Sequence, residues 1–185
     1  MNSLTNIKRT HFFVASILLF SILLFTLSLT KSEAASLSRA LVRFDRMKVS
    51  TATTGTVCAQ PTTVGTEVDV QVTFPAGYTV STTTGNWTVN TTNLAWPTGG
   101  TACPGIGTAT AASGQIVTFP STDITVGTLD CFNWTNTAAV SISAGATSNN
   151  SGLITTRATG PATIDSSNYT TASISDDQIV VTATV

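Results

Sequence analysis

The chain has 185 residues, with eight Lys or Arg against nine Asp or Glu, and its net charge of −1 hides a strong asymmetry. Seven bases (Lys8, Arg9, Lys31, Arg39, Arg43, Arg46 and Lys48) precede Thr51, while seven acids (Glu67, Asp69, Asp123, Asp130, Asp165, Asp176 and Asp177) and only Arg157 lie beyond it, a net of −6 for residues 51–185. That balance excludes ordinary nucleic-acid binding, and the lack of His after His11 and of Lys after Lys48 excludes Ser-His-Asp, Cys-His and Lys-based catalysis in the body of the chain.

The first element is a basic start, Met1–His11, followed by an apolar run, Phe12–Leu29, of 18 residues. That length suits a long signal-peptide core or a short membrane-spanning helix. Ser32-Glu33-Ala34 places small residues two apart, the pattern a signal peptidase requires, so cleavage after Ala34 is one reading and a retained anchor through residues 12–29 is the other. The bases after the apolar run oppose export of the C-terminal part, because basic flanks tend to stay cytoplasmic. Export is nevertheless expected, since the chain beyond Lys48 carries no Lys and has an extracellular composition.

Residues Ser36–Lys48 allow two structures. As a helix, Leu37, Leu41 and Phe44 share a face and the segment could lie on an anionic membrane surface. As a strand, Val42 and Phe44 alternate with Arg43 and Asp45, giving a first edge strand.

From Thr51 onward the pattern is β. Thr supplies 34 of the 135 residues in 51–185, and a β-branched side chain packs better on a pleated sheet than in a helix. The clearest strand is Val68–Phe74, with Val68, Val70, Val72 and Phe74 on one face and Asp69, Gln71 and Thr73 on the other. Further strands are predicted at Tyr78–Thr82, Trp87–Thr91, Gln115–Phe119, Thr128–Trp134, Ala139–Ser143, Leu153–Ala158, Tyr169–Ile174 and Gln178–Val185. Turn signals such as Thr84-Gly85-Asn86, Pro97–Gly100 and Gly160-Pro161 separate many of them. Short strands at this spacing predict an all-β fold, an antiparallel β-sandwich preceded by an N-terminal hydrophobic helix. The expected domains are 1–35 as signal peptide or anchor, 36–50 as a basic amphipathic connector, and 51–185 as the Thr-rich sandwich.

The run Val70-Gln71-Val72-Thr73-Phe74-Pro75-Ala76-Gly77-Tyr78, with Gly55-Thr56-Val57-Cys58 and Thr128-Leu129-Asp130-Cys131-Phe132, resembles uncharacterised exported Thr-rich bacterial surface proteins with immunoglobulin-like β-sandwiches. The resemblance implies a fold and a location, extracellular or at the cell surface. It carries over no catalytic or ligand residue.

Three cysteines allow three pairings in an exported domain. Cys58 and Cys131 sit in strand-like contexts and Cys103 in a Gly/Pro-rich loop, so a Cys58–Cys131 disulfide is expected. In Leu129–Trp134, Phe132 and Trp134 share the face opposite Cys131. If Cys131 faces the core, the two aromatics form an outward contact surface, joined by the loop residue Trp96; a bulge or cover on both faces is the alternative. Asp176-Asp177 with Asp165 or Asp123 could offer hard oxygen ligands, but no calcium-loop spacing accompanies them. No cofactor or metal is expected.

The functional expectation is a non-catalytic surface module with a structural or adhesive role, whose partner is an extracellular protein, a glycan or a second copy. A filament subunit with the leader in the fibre core and a carbohydrate-binding module are the alternatives.

Overall fold

The computed structural model describes residues 34–92, 94, 99–142, 150–160 and 162–175. The apolar leader, Trp96, Asp176-Asp177 and the expected strand Gln178–Val185 lie outside them. Among the described residues no helix is long and apolar enough to cross a membrane.

The described chain is all-β apart from a 3-10 turn at Thr84–Asn86. In order the strands are β1 (Ala35–Ser36), β2 (Arg39–Phe44), β3 (Thr51–Thr53), β4 (Gly55–Gln60), β5 (Asp69–Thr73), β6 (Tyr78–Val80) and β7 (Val89–Asn90). They continue as β8 (Thr101–Ala102), β9 (Ala111–Ser113), β10 (Ile116–Pro120), β11 (Asp130–Trp134), β12 (Val140–Ile142), β13 (Asn150–Arg157) and β14 (Thr163–Thr171). A six-stranded sheet has the order β1-β14-β13-β5-β10-β9. A second sheet has the order β2-β4-β11-β7 with β8 also on β11, and a small third sheet has the order β3-β12-β6. Most pairs are antiparallel; β1 with β14 and β8 with β11 are parallel.

Alternation explains the two larger sheets. In β5, Val70 and Val72 point inward and are buried, whereas Asp69, Gln71 and Thr73 are half-buried on the other face. Val57 and Ala59 of β4 and Val42 and Phe44 of β2 do the same from the second sheet. These side chains belong to one apolar core, so the sheets bury their inward faces against each other. The rings meet across it: Phe119 and Phe132 lie 4.8 Å apart and Phe74 and Trp87 5.2 Å apart. The tight β9–β10 hairpin turns at Gly114, whose φ of 56° is the left-handed conformation such a turn needs.

Residues 36–50, expected to connect leader and body, are part of the body. Arg39–Phe44 pairs along its length with β4, from Arg39 opposite Gln60 to Phe44 opposite Gly55. The strand reading of this segment is the one the structure shows. The physical reason is that Ala40, Val42 and Phe44 alternate inward, while a helix would leave Val42 off its apolar face.

Candidate functional site

The disulfide joins Cys58 and Cys131 as expected. The two are direct register partners on adjacent strands β4 and β11, with Cα atoms 4.2 Å apart. This is the short spacing of a non-hydrogen-bonded antiparallel pair. The bond therefore staples two neighbours within one sheet. It lies on the outer face, where Leu129 and the partly buried Leu41 and Leu94 cover it.

Strict alternation then turns Phe132 and Trp134 inward, which corrects the expected contact surface. Both are buried, at 2 % and 0 % exposure. The Trp134 indole N–H donates to the Thr53 carbonyl at 3.0 Å, and its ring packs edge-on against Phe44 and Phe74. The register of β11 on β4 is unbroken from Asp130 opposite Ala59 to Trp134 opposite Gly55, so no bulge is involved, and residues on both faces of the strand are buried. Trp96 lies outside the described residues.

Beside the apolar cluster over the disulfide, the same face of the second sheet carries a polar row, in which Thr56 and Asn133 are themselves buried. Arg43, Thr56, Asn133 and Asn90 form one row across β2, β4, β11 and β7. Thr56 Oγ1 donates to Asn133 Oδ1 at 2.6 Å, and Asn133 Nδ2 donates to Asn90 Oδ1 at 3.2 Å. Asp45 accepts from Arg43 Nη2 at 3.0 Å and from the Thr54 hydroxyl. Beside this row is an open hollow of about 200 Å³ lined by Asp45, Thr54, Asn90, Asn133, Trp134 and Thr135. It presents amides, hydroxyls and a carboxylate. It presents no aromatic face, since the Trp134 indole is spent on the core.

A second hollow of about 390 Å³ opens where β2 runs beside the end of β14, lined by Val42, Arg43, Phe44, Met47, Thr170, Thr171 and Ala172. Its lining combines the apolar Val42, Phe44, Met47 and Ala172 with Arg43 and two threonines.

Of the other described acids, Asp130 and Glu67 both lie near Cys103, Asp123 lies near Glu67, and Asp165 is elsewhere. Glu67 is buried with Oε2 accepting from the Ile124 N–H at 3.3 Å. Burial, with the nearby Asp123 charge adding to it, raises its carboxyl above the usual range. Asp130 is buried and accepts from the Thr101 hydroxyl at 3.2 Å. Burial pushes it up to about 6, against that hydrogen bond. The free thiol Cys103 is pushed up to about 12 by burial, then by the charges of Asp130 and Glu67. Asp165 is buried in a different place, with Oδ2 accepting from the backbone N–H groups of Thr62 and Thr63 at 2.7 and 3.0 Å. Among the described residues no three His, Cys, Asp or Glu side chains come together to hold a metal ion. Sequence reasoning does not find the polar row or the role of Asp165. The signal for Asp165 is its place four residues, or two strand repeats, before the inward Tyr169.

Compared with family models, curated proteins and solved structures, the chain matches none of them.

Proposed function

We propose that this chain is an exported or cell-surface module, non-catalytic, with a structural or adhesive role built on an immunoglobulin-like β-sandwich. The observation that carries the reading is the Cys58–Cys131 bond. Such bonds persist in oxidising compartments outside the cytosol, which agrees with a basic, apolar leader. The two large sheets packed around one aromatic core support the sandwich. The within-sheet disulfide departs from the inter-sheet bridge of antibody domains.

The surface supports adhesion through polar contact. The hollow at Asp45, Asn90 and Asn133 has the donors and acceptors to bind a hydroxyl-rich ligand, which favours a glycan as the second reading. The leader, Phe12–Leu29, would hold the module to the membrane if uncleaved. The filament alternative would place the same segment, as a helix, in the fibre core with the β-domain outside.

The test is the intact mass of the native protein from separated membrane and culture fractions, reduced and non-reduced. Recovery outside the cytosol with two cysteines resistant to alkylation supports the reading. A cytosolic protein with three alkylatable thiols after unfolding refutes it. Glycan-array screening of wild type against Asn90→Ala then decides whether the polar hollow binds sugar.

A further inference from the structure

Asp165 is fully buried, and its two oxygens are unequally used. Oδ2 accepts two backbone N–H groups, whereas Oδ1 is buried with no hydrogen-bond partner. A buried carboxylate oxygen with nothing to accept from is destabilising, and a nearby cation would relieve it. The strand alongside is β1, and its first residue, Ala35, is the register partner of Asp165. Ala35 is also the residue that comes directly after Ser32-Glu33-Ala34 in the sequence.

We propose that cleavage of the Ala34–Ala35 bond produces an α-ammonium at Ala35 that pairs with Asp165, so that removal of the leader completes the fold. In this step water adds across the amide. The carbonyl carbon of Ala34 gains the oxygen and becomes a carboxylate, and the nitrogen of Ala35 leaves with the protons to become the ammonium. The catalyst is a membrane-bound peptidase of the class that reads small residues on the leader side of the bond.

The fold is ready to receive such a terminus. From the residue after the bond onward, β1 is held on two sides. Ser36 Oγ and Ser167 Oγ are 2.8 Å apart, and the Thr62 hydroxyl donates to the Ser36 carbonyl at 2.8 Å. Leu37 N–H donates to Ser166 O at 3.4 Å, and the Leu37 side chain is buried in the core. The new terminus would therefore begin as an anchored strand, where most termini fray. Nearby Arg157 does not compete for Asp165, because its guanidinium is committed to Asp69 at 2.7 and 3.0 Å.

The inference rests on the exported reading, and its test separates the two. The full chain is expressed in an export-competent bacterial host, and the exported product is sequenced from its N-terminus. A start at Ala35 is expected. An exported chain that starts elsewhere overturns the inference and leaves export standing, whereas a chain never exported removes both. The pairing is tested on the processed protein carrying Lys48→Arg, in which the α-amine is the only amine. Acetylating that amine is expected to lower the Tm by about 3 °C or more, and by clearly less when Asp165→Asn is also present. Equal shifts in both backgrounds overturn the ion pair. If Asp165→Asn does not fold, an unchanged Tm on acetylating the Lys48→Arg protein alone overturns it.

Discussion

Gly55 and Trp134 are register partners on adjacent strands, and the indole occupies the space that any side chain at position 55 would need. A Cβ there would strike the six-membered ring of Trp134 and the carbonyl oxygen of Arg43 on the strand beyond. Glycine is therefore required by packing. Gly55→Ala is expected to destabilise the protein by about 1–3 kcal/mol, the range of overpacking substitutions. Trp134→Ala should cost about 3–5 kcal/mol through the cavity and the orphaned Thr53 carbonyl. Urea unfolding followed by tryptophan fluorescence, or by circular dichroism for the Trp134 variant, measures both. A neutral Gly55→Ala would mean that the indole has room to move.

The disulfide holds neighbours that the sheet already pairs, but it closes a loop with a sequence separation of 73. Its effect is therefore on the unfolded chain. The Cys58→Ser/Cys131→Ser double variant is expected to lose about 4 kcal/mol in the chain-entropy view, with the sheets retained in its far-ultraviolet spectrum. Loss of the β signal at low temperature would show that the bond is needed to form the sheet at all.

Cys103 is expected to stay free. Its N–H donates to the Cys131 carbonyl at 2.9 Å, one position beyond the disulfide on the neighbouring strand. Its side chain, however, lies in the main core, while the disulfide belongs to the separate outer cluster. The sheet separates thiol from disulfide, and a thiol pushed up to about 12 is almost never a thiolate at neutral pH. Alkylation of the native protein at pH 8 should therefore add no label, and alkylation in denaturant without reductant should add one. Rapid labelling of the native chain, or a peptide map with Cys103 bridged, would contradict this packing.

Asp69 and Arg157 form an ion pair drawn wholly from the acidic body of the chain. Arg157 donates to both carboxylate oxygens across register partners of β5 and β13, with both side chains 17 % exposed. A two-pronged, largely buried pair is strong, and breaking it leaves Asp69 with a desolvated charge. Arg157→Met is expected to cost about 2–4 kcal/mol, and Asp69→Asn/Arg157→Met distinctly less than the sum of the single changes. Additive losses in denaturant midpoints would show that the two residues act independently.

The strands readable from sequence are those that alternate apolar and polar residues. Asp69–Thr73, Tyr78–Val80, Ile116–Pro120, Asp130–Trp134 and Val140–Ile142 all fall within predicted segments or overrun them by a single residue. The start of β14 is not legible, because Thr163-Ile164-Asp165-Ser166-Ser167-Asn168 shows little alternation until Tyr169. Its inward position at 165 holds a carboxylate that accepts backbone N–H groups from a distant loop. β1, β8 and β9 are two or three residues long and made of Ala, Ser and Thr, too short for any period. The aromatic pair on β11 is legible as a face but not as a direction. Alternation shows that Phe132 and Trp134 oppose Cys131, yet only the neighbouring strands decide which side is the core. The polar row is hidden for the same reason, since Arg43, Thr56, Asn133 and Asn90 come together only through register.

Asp130 gives the fold a pH dependence opposite to that of an ion-paired carboxylate, whose pKa folding lowers. Burial raises its carboxyl in the folded protein from the ordinary 3.8 to about 6. Between those values the folded state binds more protons than the unfolded state, so stability falls as pH rises. The contribution is fully present below about pH 4 and lost as pH climbs through about 6, at up to about 1.4 kcal/mol per pH unit. Glu67, raised in the same direction by its own burial, adds to the slope. Denaturant unfolding at a series of pH values should therefore show a decline between about pH 4 and 6, and Asp130→Asn should flatten it and gain stability at pH 7. The amide keeps an oxygen to accept from Thr101 and carries no charge to desolvate. An unchanged profile in Asp130→Asn would mean that the carboxylate is charged and solvated in the folded protein across this range.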